Sequence, residues 1–509
     1  MLAQLHSFVL QGIDPLPCEV EVDVAEEGLP KTIIVGLPDA AVKESLERVR
    51  AAINNSGYPF PVARLLVNLA PAHIRKEGPA YDLPMALGLL LAGGVITGRK
   101  HRSLMVAGEL ALDGRVRRIS GAINLAILAE KLGMQGVIVP AENAREAAAA
   151  GGVPVYPADS LASVVSFLND IHEIEPEPAV DIETLLGRAT PAVDFAEIKG
   201  QEAAKRAMTV AAAGAHNLLM LGPAGTGKSM MSKALPGILP PLTREEALEI
   251  TRIYSAVGQI PAGQSLVTRR PVRTPHHTAS GVALVGGGTV PRPGEISLAH
   301  HGVLFLDEAA EFPRPVLETL RQPLEDGVVT ITRVNASIRF PARFMLLAAM
   351  NPTPAGGTPD SFAGEQAMKR YLGRISGPLL DRVDLHVEVP PVPFGELTGK
   401  RTGTDTATMR HQVLAARTLQ HQRNGRLRPN AALPGKDLDR HAHLEPPAME
   451  LLKQAMTELG LSARAYDRIR RVARTIADLE TSETAEAHHI AEAIQYRLLD
   501  RKGLVHAGR

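Results

Sequence analysis

The chain has 509 residues, too many for one hydrophobic core, so about two to four domains are expected. Hydrophobic residues at 45% and charged ones at 22% are ordinary for a globular protein in water, and 55 basic against 55 acidic side chains exclude a globally basic coat while permitting a local basic channel. One cysteine, Cys18, excludes an internal disulfide, and 3% aromatics with no Trp argue against base stacking as a grip on nucleic acid.

The N-terminus, MLAQLHSFVLQGIDP, has neither the basic lead nor the apolar core of a signal peptide, so a cytoplasmic location is expected. From residue 1 to 172, strand-like runs (TIIVGL, ARLLVNLA, LMVAGEL, GVIVP) alternate with helical ones (DAAVKESLERVRAAI, GAINLAILAEKLG, SLASVVSFLND), the pattern of an α/β or α+β domain. Within it the longest apolar run, PMALGLLLAGGVI from Pro84 to Ile96, is shorter than the roughly 20 residues a membrane helix needs, so it reads as a buried helix and turn and no membrane contact is expected. A Pro- and acid-rich stretch over 173–194 reads as a linker. Residues 195–395 again alternate strands and helices with glycine-rich connections, and 396–509 read as mostly helical.

The third block carries the chemistry. Gly222, Pro223, Ala224, Gly225, Thr226, Gly227, Lys228 and Ser229 spell the full G-x-x-x-x-G-K-[ST] pattern between a strand, NLLML, and a helix starting near Lys228. Glycines let the backbone curl its N–H groups toward a phosphate, and the helix N-terminus adds positive potential. Lys228 is then expected on the β- and γ-phosphate oxygens of ATP and Ser229 on Mg²⁺. Further on, GVLFLDEAAEF is a buried strand ending in two carboxylates, Asp307 to hold Mg²⁺ and Glu308 to polarise the attacking water. FMLLAAMNP is a third buried strand ending in Asn351, suited to positioning that water. All three strand ends are expected at one edge of a parallel sheet, where ligands bind.

Two arginines complete the candidate site. Arg382 precedes an apparent final strand, DLHVEVP, where an arginine is able to reach a neighbouring subunit's γ-phosphate or, equally, to form a surface salt bridge. Arg464 opens an amphipathic helix that is able to fold over the nucleotide, whereas Arg468, Arg470, Arg471 and Arg474 on the same helix read as solvated or phosphate-tracking. Between the two carboxylates and Asn351, residues 327–341 form two β-rich runs around Arg333-Val-Asn335 and read as a hairpin. The pairs His276-His277, His300-His301 and His488-His489 lack the Cys or carboxylate spacing of a metal site and are not expected to ligate metal; His276 and His277 are placed to touch DNA or a neighbouring subunit.

The set GPAGTGKS, VLFLDE, AAMNP, SGPLLDRVD and LSARAYDRIRRVARTIADL, with RTPHHTASGVALVGGG at 273–288, resembles the magnesium-chelatase-like branch of the AAA+ ATPases. With the N-terminal block, essentially the whole chain resembles the ComM/YifB family. That resemblance implies an AAA+ P-loop α/β core and a C-terminal helical lid. It implies ATP and Mg²⁺ as cofactors, Arg382 as arginine finger and Arg464 as second sensor. It further implies a homo-hexamer that moves on single-stranded or branched DNA without sequence preference, recombination proteins as partners, and branch migration during natural transformation. Arg333 on the hairpin is then a DNA contact in the channel. Many relatives carry cysteines after the sensor asparagine; NPTPAGGTPDSFAG has none, so no zinc is expected there.

The N-terminal block resembles a Lon-protease-like domain of ribosomal S5-type α+β fold. Laying RKEGPAYD on the pattern K-[DE]-G-P-S puts Ala80 at the nucleophile, and GELALDGRVRRISGAI puts Ile123 at the lysine base, so the Ser–Lys dyad is absent. Two other functions compete with the DNA motor: an ATP-dependent protease, opposed by Ala80 and Ile123, and the motor subunit of a magnesium chelatase, to which the large N-terminal domain is foreign.

Overall fold

The computed structural model describes residues 2–25, 31–187, 193–333, 336–352, 371, 373–395, 403–425, 428–497 and 499. They form two compact units, Met1–Gly187 with Thr243–Thr268, and Arg188–Leu242 with Arg269–Arg509.

The first unit is built on a seven-stranded mixed sheet. β1 (Leu2–Gln11), β2 (Asp14–Ala25) and β4 (Arg64–Ala70) pair antiparallel, with β3 (Lys31–Val35) parallel at the edge of β4. On the other side β5 (Leu104–Val106), β6 (Gly136–Pro140) and β7 (Val155–Ala158) continue in parallel. Along β2, Cys18, Val20 and Val22 point into the core while Glu19, Glu21 and Asp23 alternate outward, the period of a half-buried strand. The apolar run after Pro84 is the buried helix α2 (Asp82–Ala92), with every residue inside. Among the described residues no helix is long and apolar enough to cross a membrane.

One segment departs from the sequence expectation. Residues 243–268, read as part of the ATPase block, belong to the first unit. Thr243 caps the helix Arg244–Ala256 in a reciprocal box with Glu246. At its far end Ser255 accepts from the Gly121 N–H (3.0 Å) through its carbonyl, and its hydroxyl donates to Glu146. The buried Glu146 carboxylate also accepts from Asn143 Nδ2 (3.0 Å) and from the Ile123 N–H (3.4 Å). The carboxylate thus ties the insert helix to α3 (Ala122–Lys131) and α4 (Ala141–Ala148). A helix pattern alone names no partner, which is why the segment's destination was not legible.

The second unit has a five-stranded, all-parallel sheet in the order β9 (Val272–Arg273), β10 (Val303–Leu306), β13 (Met345–Met350), β8 (Leu218–Leu221), β14 (Leu385–Glu388). The residues of β8, β10 and β13 are all buried, as expected of strands covered on both faces. Separate from it, β11 (Val328–Arg333) and β12 (Ala336–Pro341) pair antiparallel as the expected hairpin. Helices α12 (Thr406–Asn424), α13 (Pro446–Glu458), α14 (Ala463–Leu479) and α15 (Ala487–Gln495) make up most of the C-terminal part, packed on α6 (Glu202–Gly214) in one apolar core.

Removing the Glu146 carboxylate strands two buried donors, the Ser255 hydroxyl and the Ile123 N–H, each worth about 1–3 kcal/mol, while Asn143 Nδ2 keeps the Ile119 carbonyl (3.1 Å). Glu146→Ala should therefore lower the urea midpoint by the equivalent of about 3 kcal/mol and speed hydrogen exchange over residues 244–256. Unchanged exchange there would show that the carboxylate does not hold the insert.

Candidate nucleotide site

Strand order positions the site. The strand β13 lies between β8 and β10, so Asn351 emerges between the glycine-rich loop after Leu221 and the carboxylates after Leu306. The Gly222 N–H donates to Met350 O (3.1 Å), pinning loop to strand. A side chain at Gly222 would meet the Val389 carbonyl at 2.1 Å, so only glycine fits. Gly227, at φ +93°, makes the left-handed turn into α7 (Lys228–Ala234).

The side chains converge as the three motifs require. Lys228 Nζ donates to the carbonyls of Gly222 (2.6 Å) and Pro223 (2.7 Å) and to Asn351 Oδ1 (3.2 Å). Burial pushes the Lys228 ammonium below its usual range, against the raising field of Asp307 and Glu308. Ser229 Oγ donates to Asp307 Oδ2 (2.7 Å). Thr226 is tied by its hydroxyl to Pro223 O (3.0 Å), while Ala224 and Gly225 are exposed at the loop's tip. This donor set fits the groups expected. A hydroxyl and a carboxylate in contact supply the hard oxygens a divalent cation takes, and an ammonium beside a loop of N–H groups suits a phosphate.

Glu308 is exposed, as Ser229 is, and lies in the left-handed region at φ 50°, ψ 45°. For a residue other than glycine that costs about 1 kcal/mol or more. Its N–H donates to Asp307 Oδ1 (3.0 Å), and its carboxylate lies 3.6 Å from His277 Nδ1.

The two arginines are elsewhere. Arg382 is buried; it donates to Pro378 O (2.6 Å) and pairs with Glu325 of α11 (Arg321–Asp326) in its own chain. Arg464 is exposed, 3.9 Å from Asp381. The other arginines of α14 overturn the solvated or phosphate-tracking reading. Arg474 and Arg470 are buried on Asp478 and Asp439, Arg471 donates to Leu433 O (3.0 Å), and Arg468 donates to Asp384. Carboxylates and carbonyls of the helical region and of the chain entering β14 face that side of the helix, and sequence alone does not show them.

Sequence reading also missed Gln201, which donates to Thr226 O (3.5 Å) and Pro390 O (2.6 Å) and so holds the loop to the chain beyond β14. Its signal was a polar residue just before a helical run. Arg333 ends β11 at the hairpin turn, as expected. His489 Nδ1 accepts from the Glu486 N–H (2.9 Å), and the Nε2 atoms of His488 and His489 both face one Glu480 oxygen, at 3.0 and 3.1 Å. The cysteine-free segment of the zinc expectation lies outside the described residues beyond Pro352.

Residues 194–397 match the family described as "Magnesium chelatase, subunit ChlI", residues 20–143 match "Subunit ChlI of Mg-chelatase", and 403–497 match the ChlI C-terminal family. The chain is 45% identical to competence protein ComM of Haemophilus influenzae and 44% identical to the uncharacterized protein YifB of Salmonella typhimurium, in each case over 98% of both chains. The chain belongs to the ComM/YifB family of magnesium-chelatase-like proteins. Similarity to the magnesium-chelatase 38 kDa subunit of Rhodobacter capsulatus is more distant, 29% over 40% of this chain and 57% of that one. The α/β unit with its parallel sheet agrees with that assignment.

Asp384 joins the helical part to the sheet of this ComM/YifB chain, accepting from the Asn217 N–H (3.0 Å) as well as from Arg468. Burial raises its carboxyl pKa, but Arg468 and His216 outweigh burial and hold it below the usual range. A depressed carboxyl stabilises the fold above its unfolded pKa, about 4, and that contribution is lost as pH falls through the folded value. The stability advantage of wild type over Asp384→Asn should be full at neutral pH and shrink as pH drops from about 4 toward 2. A pH-independent difference between the two unfolding midpoints would contradict this.

Proposed function

We propose that this protein is an ATP-driven DNA motor: a homo-hexameric ring that moves on single-stranded or branched DNA without sequence preference and promotes branch migration during natural transformation. The convergence of Lys228, Ser229, Asp307 and Asn351 at one sheet edge, with Glu308 next to it, carries the ATPase reading. Similarity to a competence protein supports the setting.

On this reading Lys228 exchanges its loop carbonyls for phosphate oxygens, and Ser229 and Asp307 hold Mg²⁺. Bound there, Mg²⁺ neutralises charge on the phosphoryl group being transferred. Glu308 accepts a proton from the attacking water and Asn351 orients it. Arg382 acts on a neighbour's nucleotide after leaving Glu325, and Arg464 approaches from the helical lid. The N-terminal unit is read as the Lon-type fold kept without peptidase chemistry, since Ala80 and Ile123 supply neither nucleophile nor base. Recombination proteins are its expected partners.

Two substitutions separate binding from chemistry. Lys228→Ala should weaken binding of a fluorescent ATP analogue and abolish phosphate release. Glu308→Gln should keep binding and lose about 100-fold or more in turnover. Near-normal turnover in Glu308→Gln would remove Glu308 as the base.

The hairpin supplies the DNA prediction. Arg333 is assigned to a phosphate, which carries affinity but no sequence information. Arg333→Ala should weaken binding equally across sequences, lower the salt slope by about 1, and reduce stimulation of hydrolysis by DNA. An unchanged salt slope and unchanged stimulation would take Arg333 off the DNA path.

A further inference from the structure

One helix start outside the nucleotide chemistry touches three separate parts of the chain. Gly200 (φ 61°) and Gln201 (φ 60°) turn the chain into α6 through two left-handed residues. Gln201 makes no cap with its side chain and reaches outward instead, to the P-loop at Thr226 O and to Pro390 O, where the chain leaves β14. Its neighbour Glu202 faces Lys205 at the i,i+3 spacing that puts two side chains on one helix face. Lys205 is buried, and its Nζ donates to Glu202 Oε1 (2.9 Å). A buried ammonium needs such a partner to stay charged. The second carboxylate oxygen accepts from Thr404 Oγ1 (2.7 Å). Burial raises the Glu202 pKa, but Thr404 and Lys205 outweigh it and hold the carboxyl below its usual range.

Thr404 lies where the chain enters the helical part. A methyl group at Gly403 would meet Lys205 Nζ at 2.4 Å and Glu202 Oε1 at 3.0 Å, so any larger residue there would push into the ion pair. Two residues later Thr406, the first residue of α12, gives both its N–H (2.9 Å) and its hydroxyl (2.8 Å) to Asp194 Oδ1. From there α12 packs on α6 and on α14, the helix that Arg464 opens. The start of α6 thus fastens the P-loop, the exit from the sheet at Pro390 and the entry to the helical part at Thr404.

We infer, resting on the ATPase reading above, that Glu202 is a positioning residue: it latches the entry of the helical part to the helix beside the P-loop and so slows departure of the spent nucleoside diphosphate. Among the described residues its hydrogen bonds run to Lys205 and Thr404 and not to the nucleotide edge, so the latch acts on retention and not on bond cleavage. A hydroxyl donating to a carboxylate is the stronger, charge-assisted kind of hydrogen bond. With it closed, the start of α12 is tied to α6; with it open, the helical part has one tie fewer and moves more freely from the P-loop. The Thr404 hydroxyl is also the one piece of the latch whose removal leaves the buried ammonium paired, because Lys205 keeps its carboxylate.

The test is release of a fluorescent ADP analogue from the full chain, chased with excess ADP in a stopped-flow instrument. Thr404→Val should raise the dissociation rate constant about threefold or more, with single-turnover hydrolysis unchanged. Thr404→Ser restores the hydroxyl and should return release to the wild-type rate. Glu202→Gln should speed release to a like extent and the double variant no further, as one shared contact requires. Hydrogen exchange over residues 404–409 without nucleotide should rise in Thr404→Val and not in Thr404→Ser. Wild-type release in Thr404→Val, additive effects in the double variant, or hydrolysis altered in the same proportion as release would overturn this role. If wild type binds no ADP the ATPase reading fails, and the exchange comparison still decides whether Glu202 holds the chain at Thr404.

Discussion

The nucleotide edge depends on one constraint, the placing of β13 between β8 and β10. Parallel pairing brings the carboxyl ends of all three strands to the same side, and the middle strand delivers Asn351 within 3.2 Å of Lys228. Ser229 follows Lys228 into α7 and meets Asp307 across the same edge. A different strand order would leave the same motifs in the sequence without a site. The buried apolar runs of these strands are therefore as much a part of the chemistry as the polar residues that end them.

A second polar junction lies where the strands begin. Asn217 donates to Arg382 O (3.0 Å), accepts from the Leu346 N–H (2.8 Å), and gives its own N–H to Asp384. Asp384 in turn receives Arg468 of α14, and Thr475 of the same helix meets His216 (2.8 Å). Buried polar groups this dense must satisfy one another or cost stability. The junction joins β8, β13, β14 and the C-terminal helix into one core, so the backbone of the proposed finger, Arg382, and the helix of the proposed sensor, Arg464, share a support.

The P-loop, both carboxylates, Asn351 and the hairpin were legible because each motif is a local pattern bounded by a buried run, and local pattern survives folding. What was not legible depends on partners distant in sequence. The helix Arg244–Ala256 has an ordinary amphipathic pattern, and the groups that mark its place, Glu146, Asn124 and the Gly121 N–H, all lie over 100 residues earlier. The arginines of α14 look solvated by residue type, yet Arg474 shares the buried Asp478 with Arg423 of α12. His277 was visible as half of a pair, and its neighbour Glu308 appears only when β9 is set beside β10.

The proposed motor couples hydrolysis at this edge to movement on DNA. The direct measurement is dissociation of a labelled four-way DNA junction by the full-length protein with Mg²⁺ and ATP, beside a non-hydrolysable ATP analogue. Junction movement is expected with ATP and not with the analogue, at the same rate for junction arms of unrelated sequence. ATP turnover by a protein that binds the junction and leaves it intact would contradict that coupling.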